Sequence, residues 1–287
     1  MSRVSCREGR WGDPQARKTV FYRFWRPEAP RTLLVMLHGF GEYGGRYQQV
    51  AQALADEGIC VAVPDVWGHG RSSGARGDIG AVDACIESLQ RLTEQVFVQE
   101  SGCTTYSLFG HSFGGLLAIC WGMSHPAGLR YLAIQSPLLG VGFEIPGWKT
   151  RLAAVLARVW PTCALPMDLD ATLLSHEPAV VEAYRTDPLV HNRMSARTYE
   201  SILQAQDDAF RRAPTLQLPA LILCGTEDRL ISVPRAQQWV GRLACEKRIV
   251  LFPGCFHELH HEPVRGEVIR LVNDWVAGSP HGLDRSR

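Results

Sequence analysis

Residues Tyr106 to Leu117 read Y-S-L-F-G-H-S-F-G-G-L-L, an apolar run that meets a serine framed by glycines and then passes into a helix-forming segment. Gly110-His-Ser-Phe-Gly114 has the spacing of a nucleophile elbow, where a strand enters a helix through a turn sharp enough to strain the serine backbone. Side chains at positions 110 and 114 would collide in such a turn, and glycine removes the collision. The Ser112 hydroxyl is then held clear of a sheet, at a helix N-terminus whose dipole favours nearby negative charge. Nucleophilic attack on a carbonyl is the chemistry this arrangement suits.

A serine hydroxyl is a weak nucleophile, so it needs a base and a group to orient that base. Asp228 lies in Cys224-Gly-Thr-Glu-Asp-Arg-Leu-Ile-Ser232 and His257 in Phe252-Pro-Gly-Cys-Phe-His-Glu-Leu259, each just past an expected strand. Nucleophile, acid and histidine in that chain order is the arrangement found with such elbows. Glu227 is the alternative acid, and His260 and His261 are alternative bases in the expected helical region that follows. Asp65 and His69 read as loop organisers through hydrogen bonds, and Cys224 as core. Acyl transfer also needs donors for a developing oxyanion. The N–H after the nucleophile, Phe113, is one candidate. The second is the Phe40 N–H in His38-Gly39-Phe40-Gly41, where glycine lets backbone approach a ligand. Main-chain donors leave the side chains of Phe40 and Phe113 to line an acyl pocket.

Strand and helix patterns alternate along the chain, which implies parallel strands joined by helical crossovers. A hairpin is expected from Val4 to Arg10 and Thr19 to Trp25 around Gly12-Asp13-Pro14, then buried strands near Leu33 to His38, Ile59 to Pro64, Thr105 to Phe109 and Tyr131 to Gln135. Helices are expected over Tyr47 to Asp56, Val82 to Val98 and Phe113 to Ser124. The rhythm breaks after Pro137, and residues 138–206 show only helical segments punctuated by prolines. It resumes with Pro219 to Cys224, a helix near Arg235 to Leu243, a strand from Arg248 to Phe252 and a helix from Pro263 to Val276. The expected architecture is α/β: a mostly parallel central sheet with helices on both faces, its core formed by residues 1–137 and 207–287. Residues 138–206 are the expected helical cap, over the sheet edge where ligands bind.

With 287 residues, 46% of them hydrophobic, the chain can bury a large core. Thirty basic residues against 29 acidic give a net charge of +1, which sets nucleic acid aside as a partner. The N-terminus has no apolar signal segment, and no apolar stretch reaches bilayer length. Nine scattered cysteines include no C-x-x-C pair and no metal spacing. A cytoplasmic protein with reduced thiols and no metal or cofactor is the resulting expectation.

His38-Gly-Phe-Gly-Glu-Tyr-Gly-Gly-Arg-Tyr47, Asp65-Val-Trp-Gly-His-Gly-Arg-Ser72, Gly110-His-Ser-Phe-Gly-Gly115, Gly225-Thr-Glu-Asp228 and Gly254-Cys-Phe-His-Glu-Leu259 together resemble the α/β-hydrolase superfamily. Within it, the H-G-x-G-E-x-x-x-R-Y string and the segment Asp187 to Met194 resemble the monoacylglycerol lipase and lysophospholipase group of serine hydrolases. The resemblance implies Ser112, Asp228 and His257 as the triad, Phe40 and Phe113 as oxyanion donors, and a single-chain lipid ester as substrate. Monoacylglycerol is the expected ester; a general carboxylesterase, lysophospholipase or thioesterase with the same triad, and more distantly a non-catalytic ligand-binding member of the fold, are the alternatives. Trp67 and Tyr43 depart from the arginine and histidine common in that group.

Inside the cap, Leu152, Val155, Leu156 and Val159 recur at helical spacing with Trp148 on the same side and Arg151 and Arg158 flanking. The reading preferred from sequence packs this stripe onto the body, with Trp148, Leu152 and Val155 lining the acyl pocket. The competing reading is a basic amphipathic helix resting on a lipid surface. Peripheral membrane contact through the cap is therefore expected to be weak at most.

Overall fold

Short, uniformly apolar runs cannot leave either face to water, and here they form the centre of one eight-stranded sheet, covered on both sides there and exposed at its edges. The structure, a computed structural model, describes residues 4–144, 146–167 and 169–278. A hairpin of β1 (Ser5–Asp13) and β2 (Lys18–Arg26) starts the sheet. Gly12 and Asp13 belong to β1 rather than to the turn, because the Asp13 carboxylate accepts from the Gln15 and Ala16 amides and closes the bend after itself.

β3 (Thr32–Leu37), β4 (Ile59–Pro64), β5 (Tyr106–His111), β6 (Leu129–Gln135) and the two last strands of this sheet run parallel, and β2 is antiparallel to both of its neighbours. Leu33, Val35 and Leu37 of β3 enter one core cluster while Leu34 and Met36 enter the other. From β3 the chain steps outward to β4, then returns to place β5 on the other side of β3. Loops after β3 and β5 therefore diverge, and the crevice between them is where open α/β sheets bind ligands.

α1 (Gln48–Asp56) covers one face by burying Val50, Ala51, Leu54 and Ala55. On the other face lies α2 (Val82–Leu92), which runs through a π turn, Thr93–Phe97, into the short α3 (Val98–Ser101). The single helix expected from Val82 to Val98 is thus interrupted. At the interruption Phe97 is fully buried, 5.9 Å from the ring of Phe24 and 5.1 Å from that of Tyr22. α4 (Phe113–Met123) follows the elbow and is buried along nearly its whole length.

Between β6 and the next sheet strand the chain forms α5 (Gly147–Val159), β7 (Ala164–Pro166), α6 (Pro178–Thr186), β8 (Arg193–Ser195) and α7 (Ala196–Arg212). β7 and β8 pair antiparallel, so this region is not purely helical as expected. Three-residue strands are too short to impose a period on the sequence. The expected boundary after residue 206 also falls inside α7. That helix packs on both α4 and α5, and its Ala205 and Ala209 belong to the main core cluster. β9 (Ala220–Gly225), α8 (Val233–Arg242), β10 (Lys247–Phe252) and α9 (Arg265–Val276) complete the sheet and its cover. No helix among the described residues is long and apolar enough to cross a membrane.

Candidate active site

At the end of β5, Ser112 has φ 52° and ψ −112°, a left-handed conformation that costs a non-glycine residue about 1–3 kcal/mol. Its surroundings hold it there: the Ser112 amide donates to the Gln135 carbonyl at 3.0 Å, and its carbonyl accepts from Leu138 at 2.9 Å. A Cβ on Gly110 would lie 2.2 Å from the Gly114 oxygen, and one on Gly114 would lie 2.1 Å from the Leu37 oxygen. Gly110 is therefore required by the tightness of the elbow itself, and Gly114 by the contact between the elbow and the end of β3.

Asp228 follows β9 and is buried, whereas the alternative acid Glu227 is exposed. The Asp228 Oδ1 accepts from the Leu230 and Ile231 amides at 2.9 and 3.1 Å, and Oδ2 meets His257 Nδ1 at 2.7 Å. Burial disfavours the carboxylate, yet the His257 ring and the two amides together hold Asp228 below its ordinary pKa. Burial likewise disfavours the His257 imidazolium, but the Asp228 carboxylate and its hydrogen bond outweigh that and raise the histidine. With Nδ1 committed to Asp228, Nε2 is left as the nitrogen available for base chemistry. Ser112 and His257 line one mainly apolar cavity of about 530 Å³ together with Gly39 and Phe40.

Two main-chain N–H groups lie on the elements that flank the serine. Phe113 is the first residue of α4, so its N–H has no carbonyl one turn back to meet. Phe40 follows Gly39 in the loop after β3. Neither N–H meets a carbonyl or side chain among the described residues. His38 fixes the start of this loop: its Nδ1 meets the Gly39 carbonyl at 2.7 Å and its Nε2 accepts from the Val66 amide at 2.9 Å. Asp65 organises the adjoining loop, accepting from the Gly44 and Arg71 amides at 2.9 and 2.8 Å.

Behind these groups runs a buried ionic brace that residue order alone did not reveal. Glu42 accepts from the Gly39 amide at 2.6 Å, the Tyr47 hydroxyl at 2.7 Å and Arg46 at 2.5 Å. Arg46 then donates two bonds, at 2.6 and 2.7 Å, to Glu258, the residue after His257. Burial alone would neutralise Glu258, but Arg46 and His261 keep it well below the usual carboxylate range. The H-G-x-G-E-x-x-x-R-Y string is therefore a physical link between the loop of Phe40 and the loop of His257.

A second buried layer is neutral. Gln135 Nε2 bridges His111 Nδ1 at 2.9 Å and His260 Nδ1 at 2.8 Å, and the His111 ring lies 4.6 Å from that of His257. Burial is the main reason both His111 and His260 are pushed well below the ordinary histidine value. His260 and His261, the alternative bases, sit in a 3-10 turn (Leu259–His261) rather than a helix, and His261 Nδ1 pairs with Glu258 at 2.7 Å. Glu42, Glu258 and these histidines also bring ligand-type atoms close together, but Arg46 already supplies the positive charge between the two carboxylates.

The cavity walls differ from the expected ones. Phe40 lines the cavity, but Phe113 is fully buried beneath it, with its ring edge-on to Phe40 at 5.4 Å. Trp148, Leu152 and Val155 do not line it and are 63%, 42% and 57% exposed. Lys149 and Ala153 take their place, joined by Leu138, Met194 and Ile202. Most of the α5 stripe is therefore turned outward, with Leu156 half-buried and Ala153 the one buried residue of the helix. A helical period reveals that one face is apolar and cannot say which way that face points.

A mostly parallel sheet carrying a serine at a strained strand-to-helix elbow, with an acid and a histidine after later strands, defines an α/β-hydrolase of the serine type. A family model described as Hydrolase_4, serine aminopeptidase, S33, matches residues 28–264, and the chain belongs to that family. The monoacylglycerol lipase of Mycolicibacterium smegmatis is 30% identical over 261 residues, covering 90% of this chain and 92% of its own. The crystal structure of Paleococcus ferrophilus monoacylglycerol lipase superposes with a TM-score of 0.80 at 29% identity, covering 96% of this chain and 99% of its own. An uncharacterized abhydrolase domain-containing protein of Dictyostelium discoideum is 30% identical over 267 residues, which are 91% of this chain and 28% of that longer one.

Proposed function

We propose that the protein hydrolyses the carboxylic ester of a single-chain lipid, with monoacylglycerol as the substrate and a fatty acid and glycerol as products. The observation that carries this reading is the 2.7 Å pairing of Asp228 with His257 on the wall of an apolar cavity that also contains Ser112. The two relatives named as monoacylglycerol lipases support the choice of substrate.

In this reading His257 Nε2 takes the Ser112 proton as the oxygen attacks the ester carbonyl, and the Phe40 and Phe113 N–H groups receive the oxyanion. Collapse of the tetrahedral intermediate breaks the ester C–O bond, and the imidazolium returns its proton to the departing alkoxide. Water repeats the sequence on the acyl-enzyme and restores Ser112. Asp228 holds the imidazole tautomer and stabilises its charge throughout.

Residues 138–206 act as the cap, and the outward stripe of α5 gives it a second role. Val159 is 72% exposed, Trp148 63% and Trp160 61%, and Arg151 and Arg158 of the same segment are exposed too. This face meets a lipid surface, its apolar residues entering the acyl boundary and its arginines facing headgroups, while substrate passes beneath. Nine free cysteines, several fully buried, fit a reducing compartment.

The test is turnover of a monoacylglycerol series of varied chain length, with a lysophospholipid and a short aryl ester as comparators, in the native chain and in Ser112→Ala. Long-chain monoacylglycerol should be preferred, and Ser112→Ala should be inert and unlabelled by a fluorophosphonate. Undiminished ester turnover by Ser112→Ala would sink the proposal.

A further inference from the structure

Tyr43 stands three residues beyond Phe40, and its hydroxyl donates to Asp187 Oδ2 at 2.8 Å. This bond crosses from the loop after β3 to the strap of residues 187–192 that joins α6 to β8. The strap grips the same loop again, where the His191 N–H donates to the Gly41 carbonyl at 2.8 Å. Approach there is so close that a Cβ on Gly41, whose φ is +80°, would lie 2.4 Å from the His191 oxygen. Within the loop Glu42, itself held by Tyr47 and Arg46, takes the Gly39 N–H at 2.6 Å, and from the body Asp65 takes the Gly44 N–H at 2.9 Å. The stretch around the Phe40 amide is thus held by the braced Glu42, by Asp65 of the body and by two cap contacts.

Asp187 would otherwise be poorly placed. It closes the C-terminal end of α6, where the helix dipole disfavours a carboxylate. Its Oδ1 accepts from the Leu189 N–H at 2.8 Å, and the Tyr43 hydroxyl satisfies the other oxygen. Burial, reinforced by the Asp187 carboxylate, pushes the Tyr43 phenol up to about 12, so it remains a donor at neutral pH.

We propose that Tyr43 is a positioning residue which, through Asp187, ties the cap strap to the oxyanion loop and keeps the Phe40 N–H aimed at its target only while the cap is seated. The inference rests on the serine-hydrolase reading above. An oxyanion donor is effective because it is already oriented when charge develops, so loosening its loop lowers the chemical step more than substrate binding.

The test compares Tyr43→Phe, Asp187→Ala and the double variant in the full chain. Each single change should lower kcat about tenfold, the scale of one lost hydrogen bond, with KM within about twofold and the melting temperature little changed. The double variant should be no slower than the slower single, because both break one link. Fluorophosphonate labelling of Ser112 should slow in parallel, since the phosphonyl oxygen needs the same N–H. Unchanged kcat and labelling in Tyr43→Phe, losses that multiply in the double variant, or a change confined to KM would each overturn the proposal. Should Asp187→Ala fail to fold, Tyr43→Phe decides alone, because it keeps the ring and removes one oxygen. Failure of the hydrolase reading looks different: Ser112→Ala would then retain turnover whatever Tyr43 does.

Discussion

The floor of the cavity and the outer face of its roof obey opposite rules. On the floor, Glu42, Arg46 and Glu258 are charged and yet almost wholly removed from water, each side chain at most 8% exposed. On the roof, Trp148, Val155, Val159 and Trp160 are apolar and yet more than half exposed. Each departs from the usual partition of polar and apolar groups, and each departure has a local reason. Buried charges persist only when paired and hydrogen-bonded, and the brace pairs all of its members. An exposed apolar stripe persists when something other than water is to cover it. In the proposed reading the two serve different ends: a fixed polar floor holds the reacting groups, and the exposed apolar face of the roof meets a lipid surface.

The contrast can be broken first at the floor. Asp228→Asn should lower kcat by about 10⁴, because the amide no longer holds the His257 tautomer, while ester binding and folding persist. Steady-state kinetics with circular dichroism checks this, and a loss below tenfold would mean that the pair seen here is structural. Arg46→Met removes the cation between two buried carboxylates and should cost about 3–5 kcal/mol, seen calorimetrically as a fall in melting temperature of about 10 °C. If the protein melts unchanged, the brace is not a stabilising element.

Protonation separates the regions more gently. His257 must be neutral to act as a base, and its pKa is held above the ordinary value, first against burial and then by Asp228. The kcat/KM profile should therefore rise with pH through a midpoint above about 6.5. Residual activity of Asp228→Asn should show that midpoint shifted down, and a shift upward would contradict the assignment. The smallest effect on the fold belongs to the roof. Trp148→Ser with Trp160→Ser should change stability by no more than about 0.5 kcal/mol per site and leave turnover of a soluble aryl ester intact. Co-sedimentation with anionic vesicles should nevertheless fall several-fold, and unchanged co-sedimentation would remove the lipid-facing role of α5.

Much of the floor was legible in the residue order. The elbow glycines, Asp228 and His257 carry signals because strand, turn and helix chemistry are local, and the parallel sheet follows from the alternation of short apolar runs with amphipathic ones. Glu42, Arg46 and Tyr47 were visible as a string without a stated role. Their partner Glu258 lies 212 residues from Arg46, and nothing local announces such a pairing. On the roof, the reading preferred from sequence has the face of α5 inverted, and the competing one has it outward. Trp148, Leu152 and Val155 had the right period, but a period fixes only relative phase around one helix. Ala153 is the residue of α5 that is buried instead.

Sequence alone determined which groups this chain owns and where each falls along alternating strands and helices, because backbone propensity, glycine at a strained turn and apolar periodicity act over a few residues. Tertiary structure decided what those groups face. It turned the stripe of α5 outward, buried Phe113, brought Glu258 to Arg46 and hung the strap of Asp187 on Tyr43, since each outcome depends on how elements far apart in the chain pack around one another.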